Sequence, residues 1–300
     1  MSKKQFIKRH LLILEKLRKN PCDFKELQAF IKKRFSYEDE DYEILKRTFE
    51  RDVNEIRSIY GVEIEYNRRD KVYEIVQEAN ENNTNRLMES YQMYNALSMS
   101  DSVANHLILE KRKPLGTENM YGLLHAIQHH IEVRFEYEKF WGFAQEKNRR
   151  TVRPLALKEA RYRWYLIAED KKDGAIKSFG LDRISHLEIS ATRFEYPNSF
   201  HLDAKFKHAF GIISGEEDAE KIQLWLNREQ GNYIKSLPLH HSQKIISETN
   251  SELILELFVC PTHDFVMELL SMGANVKVLE PKSLQQKVKA KLLDAAKLYE

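Results

Sequence analysis

The first 76 residues change hydrophobic period in a fixed order, three helical runs and then two short strand runs, and that order restricts the fold more than any other feature of the chain. Phe6, Ile7, His10, Leu11, Leu14 and Leu17 recur at helical spacing, and the run stops before Asn20-Pro21, where proline disfavours a continuing helix. Asp23 is placed to cap a second helix carrying Leu27, Phe30 and Ile31 on one face. A third run, from about Ile44 to Tyr60, ends at Gly61, the residue type suited to a left-handed C-terminal cap. Two strand-like runs, 62–66 and 72–76, flank the turn Asn67-Arg68-Arg69-Asp70-Lys71. This is the layout of a winged helix-turn-helix, expected over residues 1–76.

Projected at 100° per residue, the third helix gathers Leu45, Phe49, Val53, Ile56, Ile59 and Tyr60 on one side. Arg47, Arg51, Asn54 and Ser58 stand opposite, with Lys46 and Arg57 flanking. Arg and Asn are suited to bidentate bonds with guanine and adenine edges in the major groove. Lys46, Arg47, Arg51 and Asn54 are therefore the expected DNA-facing residues, joined by Arg68, Arg69 and Lys71 of the wing at phosphates or in the minor groove. The charge is local. Residues 1–36 hold 11 Lys and Arg against 3 Asp and Glu, whereas the whole chain is only +2. The plainer reading is a solvated helix side, which Glu50 and Asp52 favour. Asp52 falls near the apolar side and takes a structural role, pairing with Arg51 or Arg47 or capping a backbone group.

Three hundred residues exceed what one core usually serves, so two or three domains are expected. Residues 77–116 begin polar and Asn-rich and read as a linker with connecting helices. There Leu87, Tyr91, Tyr94 and Leu97 form an apolar stripe fit to pair with a second chain. Residues 117–196 give a helix followed by short strands, which suggests a small, strongly bent sheet or barrel. Residues 197–219 read as a second connection, and residues 220–300 as a small α+β sandwich. The whole is a multi-domain α+β protein.

With only Cys22 and Cys260 there is no disulfide framework and no cysteine zinc site, and no run approaches the roughly 18 apolar residues of a membrane helix. A soluble cytoplasmic protein is expected. His125 and His129 share a helix face without an accompanying HExxH carboxylate, and no phosphate loop or G-x-S-x-G elbow occurs. No metal, cofactor or enzymatic activity is expected.

Residues 149–163 (RRTVRPLALKEARYR) carry six bases and one acid inside a strand-rich region. Interleaved with Tyr162, Trp164 and Tyr165, they suit either a polyanion-binding surface or an edge strand protected by charge. The string Trp164-Tyr165-Leu166, preceded by RRTVRPLALK and followed by SFGLDRI, closely resembles the WYL-domain family of bacterial transcription regulators. KRTFERDVNEIRSIYGVEIEYNRRDKVYEI is similar to that family's winged-helix domain, and the segment with GNYIKSLPLHHSQ and SMGANVKVLEP to its C-terminal extension domain. The start of the third helix departs from many relatives in having Leu45 where they place a serine.

The resemblance implies a central Sm-like β-barrel that senses a nucleotide or oligonucleotide and passes its state to the DNA-binding domain. Residue by residue, Arg150 and Pro154 match the family's string before the tripeptide, and Asp182-Arg183-Ile184 its closing D-R-I. Arg183 is the first choice for an anion contact, then Arg150 and Arg153 gathered with it around one anion. Tyr137 is a weaker candidate, and Tyr165 is expected on the surface with Trp164 and Leu166 in the core. The implied protein is a homodimeric, ligand-responsive regulator of double-stranded DNA. The alternative is a nucleic-acid-processing accessory protein or enzyme that holds substrate on both basic surfaces.

Overall fold

The computed structural model describes residues 3–37, 41–79, 81–98, 115–140, 147–198, 200–213 and 218–300. The chain forms two compact units, Met1–Lys111 and Arg112–Glu300. In the first, helices α1 (Lys3–Lys19), α2 (Phe24–Ser36) and α3 (Lys46–Tyr60) precede an antiparallel hairpin of β1 (Val62–Asn67) and β2 (Val72–Glu78). Both expected caps form. The Asp23 carboxylate accepts the Glu26 N–H, and Gly61 takes φ 67° to close α3. Leu45 gives α3 no side-chain cap. Leu14, Leu27, Ile31, Phe35, Phe49 and Ile56 pack into one core beneath the hairpin, and Cys22 bridges backbone to backbone with Tyr73. Helices and hairpin in this arrangement fit a helix-turn-helix.

One charged pair lies inside that core. Arg9 of α1 donates Nε and Nη2 to the two carboxylate oxygens of Asp52 at 2.7 and 2.8 Å, and neither side chain is exposed to solvent. Burial alone would raise the Asp52 carboxyl, but Arg9 and His10 together outweigh it and hold it below its usual range. The structural role expected for Asp52 is thus filled from α1, and not by Arg47; Arg51 Nη2 stands 3.9 Å away.

The Asn-rich linker is helical instead. Residues Glu81–Ser98 form α4, because Met88 packs on the core of the first unit and Arg18 of α1 bonds Asn85 and Glu78. Leu87 and Tyr94 of the apolar stripe are exposed. Residues 99–114, which include the end of the expected helical stretch, lie outside the described residues.

In the second unit a 3-10 turn and helix α5 (Met120–Gln128) lead into five antiparallel strands: β3 (Ile131–Glu138), β4 (Lys147–Ala160), β5 (Arg163–Asp170), β6 (Ile176–Gly180) and β7 (Ile184–Arg193). Their order is β6-β5-β4-β3-β7. Among the described residues no pairing joins β6 to β7, so the expected closed barrel is an open sheet. Its two faces bury two clusters. Val133, Phe135, Leu166 and Phe179 pack under α5, while Leu155, Ile167 and Tyr165 pack under Phe194 and Phe200, with α6 (Leu202–Phe206) beside them.

The remaining residues build a four-stranded antiparallel sheet, order β11-β8-β10-β9, from β8 (Glu220–Asn227), β9 (Lys244–Glu248), β10 (Glu252–Val259) and β11 (Val276–Glu280). Helices α7 (Arg228–Ser236), α8 (His263–Ser271) and α9 (Lys282–Ala296) accompany it, and the core runs through Ile222, Leu224, Leu255 and Phe265. Within this unit Arg161, in the β4–β5 turn, ties the two sheets by donating to the Asp264 carbonyl at 3.0 Å and the Glu268 carboxylate at 2.6 Å of α8.

Asp52→Asn leaves the Arg9 charge buried without a counter-charge, which costs about 3–5 kcal/mol. All three tryptophans lie beyond residue 140, so the loss is read by hydrogen exchange, expected to rise about a hundredfold or more across α1 and α3 and to stay unchanged in the second unit. Because the folded carboxyl titrates below the unfolded value of about 3.9, its contribution is complete above that pH. It is lost as pH falls through the lower folded value, and the variant is expected to lack that acid-side loss.

Candidate nucleic-acid interface and anion seat

The polar face of α3 is outward as its periodicity requires, but Leu45 and Ile59, expected on the apolar side at the two ends of the helix, are exposed. Phe49, Asp52 and Ile56 point inward, and Arg47, Arg51, Asn54 and Ser58 are exposed. Among the described residues Arg47 makes no ion pair. Asn54 donates to the Glu50 carbonyl at 3.1 Å, which leaves its amide oxygen available as an acceptor. Lys46 is turned aside: its ammonium donates to the Tyr73 hydroxyl at 2.6 Å and sits over the Phe24 and Tyr73 rings. Arg57 pairs with Glu63 at 2.8 Å. At the hairpin tip Arg68, Arg69 and Lys71 are exposed, and the Asn67 side chain fixes the turn by accepting the N–H groups of Arg69 and Asp70.

Of the five expected ligand residues, Arg150 and Arg153 do not join Arg183. Register places Arg150 opposite Phe135, on the face that carries Tyr137, and Arg150 pairs there with the buried Asp170 at 3.1 Å. Arg153, three positions on, projects from the other face and bonds Glu169 at 3.0 Å. Two guanidinium groups on opposite faces of one strand cannot enclose one anion, so the expected Arg150–Arg153–Arg183 cluster is replaced by two carboxylate pairs. Tyr165 is half-buried in the second cluster and is no surface residue; burial raises its phenol, against the charges of Arg163 and Arg183. Leu166 is core, as expected, and Trp164 packs against it from a partly exposed position.

Arg183 is different. Its guanidinium lies 5.1 Å from the ring centroids of both Tyr137 and Phe140, and among the described residues it has no carboxylate partner. Its Nε is buried and makes no hydrogen bond there, nor does Asp182 Oδ1 beside it. Asp182 gives its other oxygen to Arg163 at 3.0 Å. Tyr137 is fixed in turn, its hydroxyl accepting the Gly180 N–H at 3.2 Å, and burial pushes its phenol up. A guanidinium with donor capacity left over, held against two aromatic faces, is suited to an anion that also presents a planar group.

The seat depends on two glycines. A Cβ on Gly180 would stand 2.7 Å from Asp182 Oδ1 and 2.9 Å from Arg183 Nε. Gly116, at φ 72°, lets the chain pass within 2.2 Å, measured to the same hypothetical atom, of the Leu181 carbonyl. Sequence reading missed both, since their meaning lies in packing against residues far along the chain. A cleft of the sheet, about 110 Å³ between Arg134, Glu136, Arg149 and His186, is smaller than the roughly 300 Å³ at which small-molecule pockets begin.

Comparison with known families matches a WYL domain at residues 118–189 and a WCX domain at residues 218–296, together half of the chain. No curated protein sequence matches. Among solved structures, the chain is similar to proteasome accessory factor B/C (PafBC) of Arthrobacter aurescens, at 20% identity and TM-score 0.39, over 99% of this chain and 47% of that one. It thus spans less than half of that relative's length. A CRISPR Cas-related protein is similar at 14% identity and TM-score 0.40, over 92% of this chain and 74% of that one.

Gly180→Ala is expected to move the Arg183 side chain at little cost in stability, because the atoms its methyl meets are the ends of flexible side chains. Gly116→Ala meets backbone and a positive φ, so it should lower the melting temperature more. The arginine Nε–H resonances in NMR and thermal unfolding separate the two effects.

Proposed function

Because this chain belongs to the WYL-domain family of transcription regulators, we propose that it binds double-stranded DNA through α3 and the β1–β2 hairpin and answers an anionic ligand through its WYL domain. The observation that carries the DNA reading is the division of α3. Its inner face is fixed by apolar packing and the Asp52–Arg9 fork, and its outer face offers Arg47, Arg51 and Asn54 to solvent. Arg47 and Arg51 serve base edges, Asn54 an adenine edge, and Arg68, Arg69 and Lys71 the phosphates beside the groove. Lys46 acts at most after leaving Tyr73.

In the WYL domain the anion contact falls to Arg183, with Tyr137 as its aromatic floor. Arg150 and Arg153 brace the sheet through Asp170 and Glu169. The ligand is a nucleotide or oligonucleotide, whose phosphate takes the guanidinium donors and whose base takes an aromatic face. The protein works as a homodimer, since paired winged helices read two half-sites and multiply specificity. Its place is the cytoplasm, and no described helix is long and apolar enough to cross a membrane. The rival reading, a nucleic-acid-processing enzyme, draws no support from a nucleophile or phosphate-loop motif.

The DNA reading is tested by sequencing genomic fragments retained by the protein and then titrating the recovered site. Arg47→Ala and Arg51→Ala should each cost about 1–3 kcal/mol of affinity for that site with the fold intact. Unchanged affinity in both would remove α3 from the interface. Metal-dependent cleavage of the fragments would favour the rival.

A further inference from the structure

A second set of polar atoms lies beside the Arg9–Asp52 fork and shares with it only Asp52 Oδ1. His10, next to Arg9 on α1, is fully buried, and neither ring nitrogen makes a hydrogen bond among the described residues. Its Nε2 stands 3.5 Å from Asp52 Oδ1 and 3.5 Å from Glu55 Oε2. Glu55 Oε2 is likewise buried without a hydrogen bond, although the Glu55 side chain as a whole is 37% exposed. The imidazole is set by aromatic contacts, with Phe6 at 4.2 Å and Tyr60 edge-on at 5.8 Å between ring centroids. The three atoms lie within 4.8 Å of one another.

Such distances are long for hydrogen bonds and short for unrelated groups. Tetrahedral ligands at zinc bond lengths of about 2.1 Å stand ~3.4 Å apart, which is the spacing from His10 Nε2 to each carboxylate oxygen. We propose that His10 Nε2, Asp52 Oδ1 and Glu55 Oε2 bind one divalent transition-metal ion of the zinc class, joining α1 to the third helix. Asp52 and Glu55 are three apart on α3 and so share a face, and His10 closes the set from across the helix pair. Imidazole with carboxylate suits zinc and its neighbours in the first transition row rather than calcium or magnesium, which prefer oxygen alone.

Arg9 fits this arrangement as an outer partner. It fixes the Asp52 carboxylate with two hydrogen bonds while Oδ1 keeps a second lone pair. Its charge opposes the ion, and the two carboxylates offset that opposition. Glu55 is the ligand nearest to solvent and gives the ion its way in and an open fourth position for water. The proposal does not rest on DNA binding.

The test uses the full chain stripped of metal by a chelator and dialysed against Zn²⁺ or Co²⁺. Wild type is expected to take up one equivalent more than Glu55→Gln, to show a visible Co²⁺ ligand-field band that the variant lacks, and to bind at least about tenfold more tightly at that site. Adventitious ions at surface pairs such as His125–His129 cancel in the difference. Equal uptake by both proteins overturns the proposal. Hydrogen exchange of the wild type alone gives an independent reading: Zn²⁺ should slow exchange in α1 and α3, and no slowing there contradicts the site.

Discussion

The fork from Arg9 to Asp52 fixes the rotation of α3, and the first unit's surface follows from that rotation. An arginine and an aspartate removed together from water recover the desolvation cost only in good geometry, and here two bonds of 2.7 and 2.8 Å supply it. Apolar residues could fill the same space, but a shape-filling contact tolerates small rotations that a bidentate bond does not. With Asp52 held inward, Arg51 and Asn54 can point only outward. The same rotation brings Glu55 to the edge of the α1–α3 seam, where it meets His10.

The second unit shows a contrasting use of arginine. The six basic residues of the stretch 149–163 form no continuous patch, because strand alternation sends Arg150 and Arg153 to opposite faces, where Asp170 and Glu169 of β5 neutralise them, while Arg161 and Arg163 pair with Glu268 and Asp182. Arg183 escapes this pairing. It lies in the 3-10 turn between β6 and β7, outside the strand ladder, and its charge is met by ring faces in place of a carboxylate. That leaves Arg183 with a buried Nε that makes no hydrogen bond among the described residues.

Much of the fold was legible in the sequence. Asp23 and Gly61 are local signals with local causes, so the ends of α2 and α3 fell where capping chemistry puts them. The strands of the second unit were legible from their alternation, and so was the core position of Leu166. The first half of helix α4 was not, since an Asn-rich segment becomes helical here through contacts of Met88 and Asn85 with α1, which no window around residue 85 contains. The open edges of the five-stranded sheet were hidden for the same reason, as closure is a matter of which distant strands meet. Arg9 was hidden by its type, because a charged residue beside an apolar stripe reads as solvated until its partner 43 positions away is known. The division of Arg150 from Arg153 did carry a sequence signal, an odd spacing on one strand, that the family resemblance overrode.

The central claim is that the outer face of α3 and the hairpin tip meet DNA. Hydrogen exchange of the full chain with and without a genomic fragment that it retains tests this directly, through peptides covering residues 46–58 and 67–72. The account predicts slowed exchange in both segments and in its WYL sheet no change from DNA alone. Slowed exchange confined to the sheet around Arg183, with α3 unaffected, would contradict it.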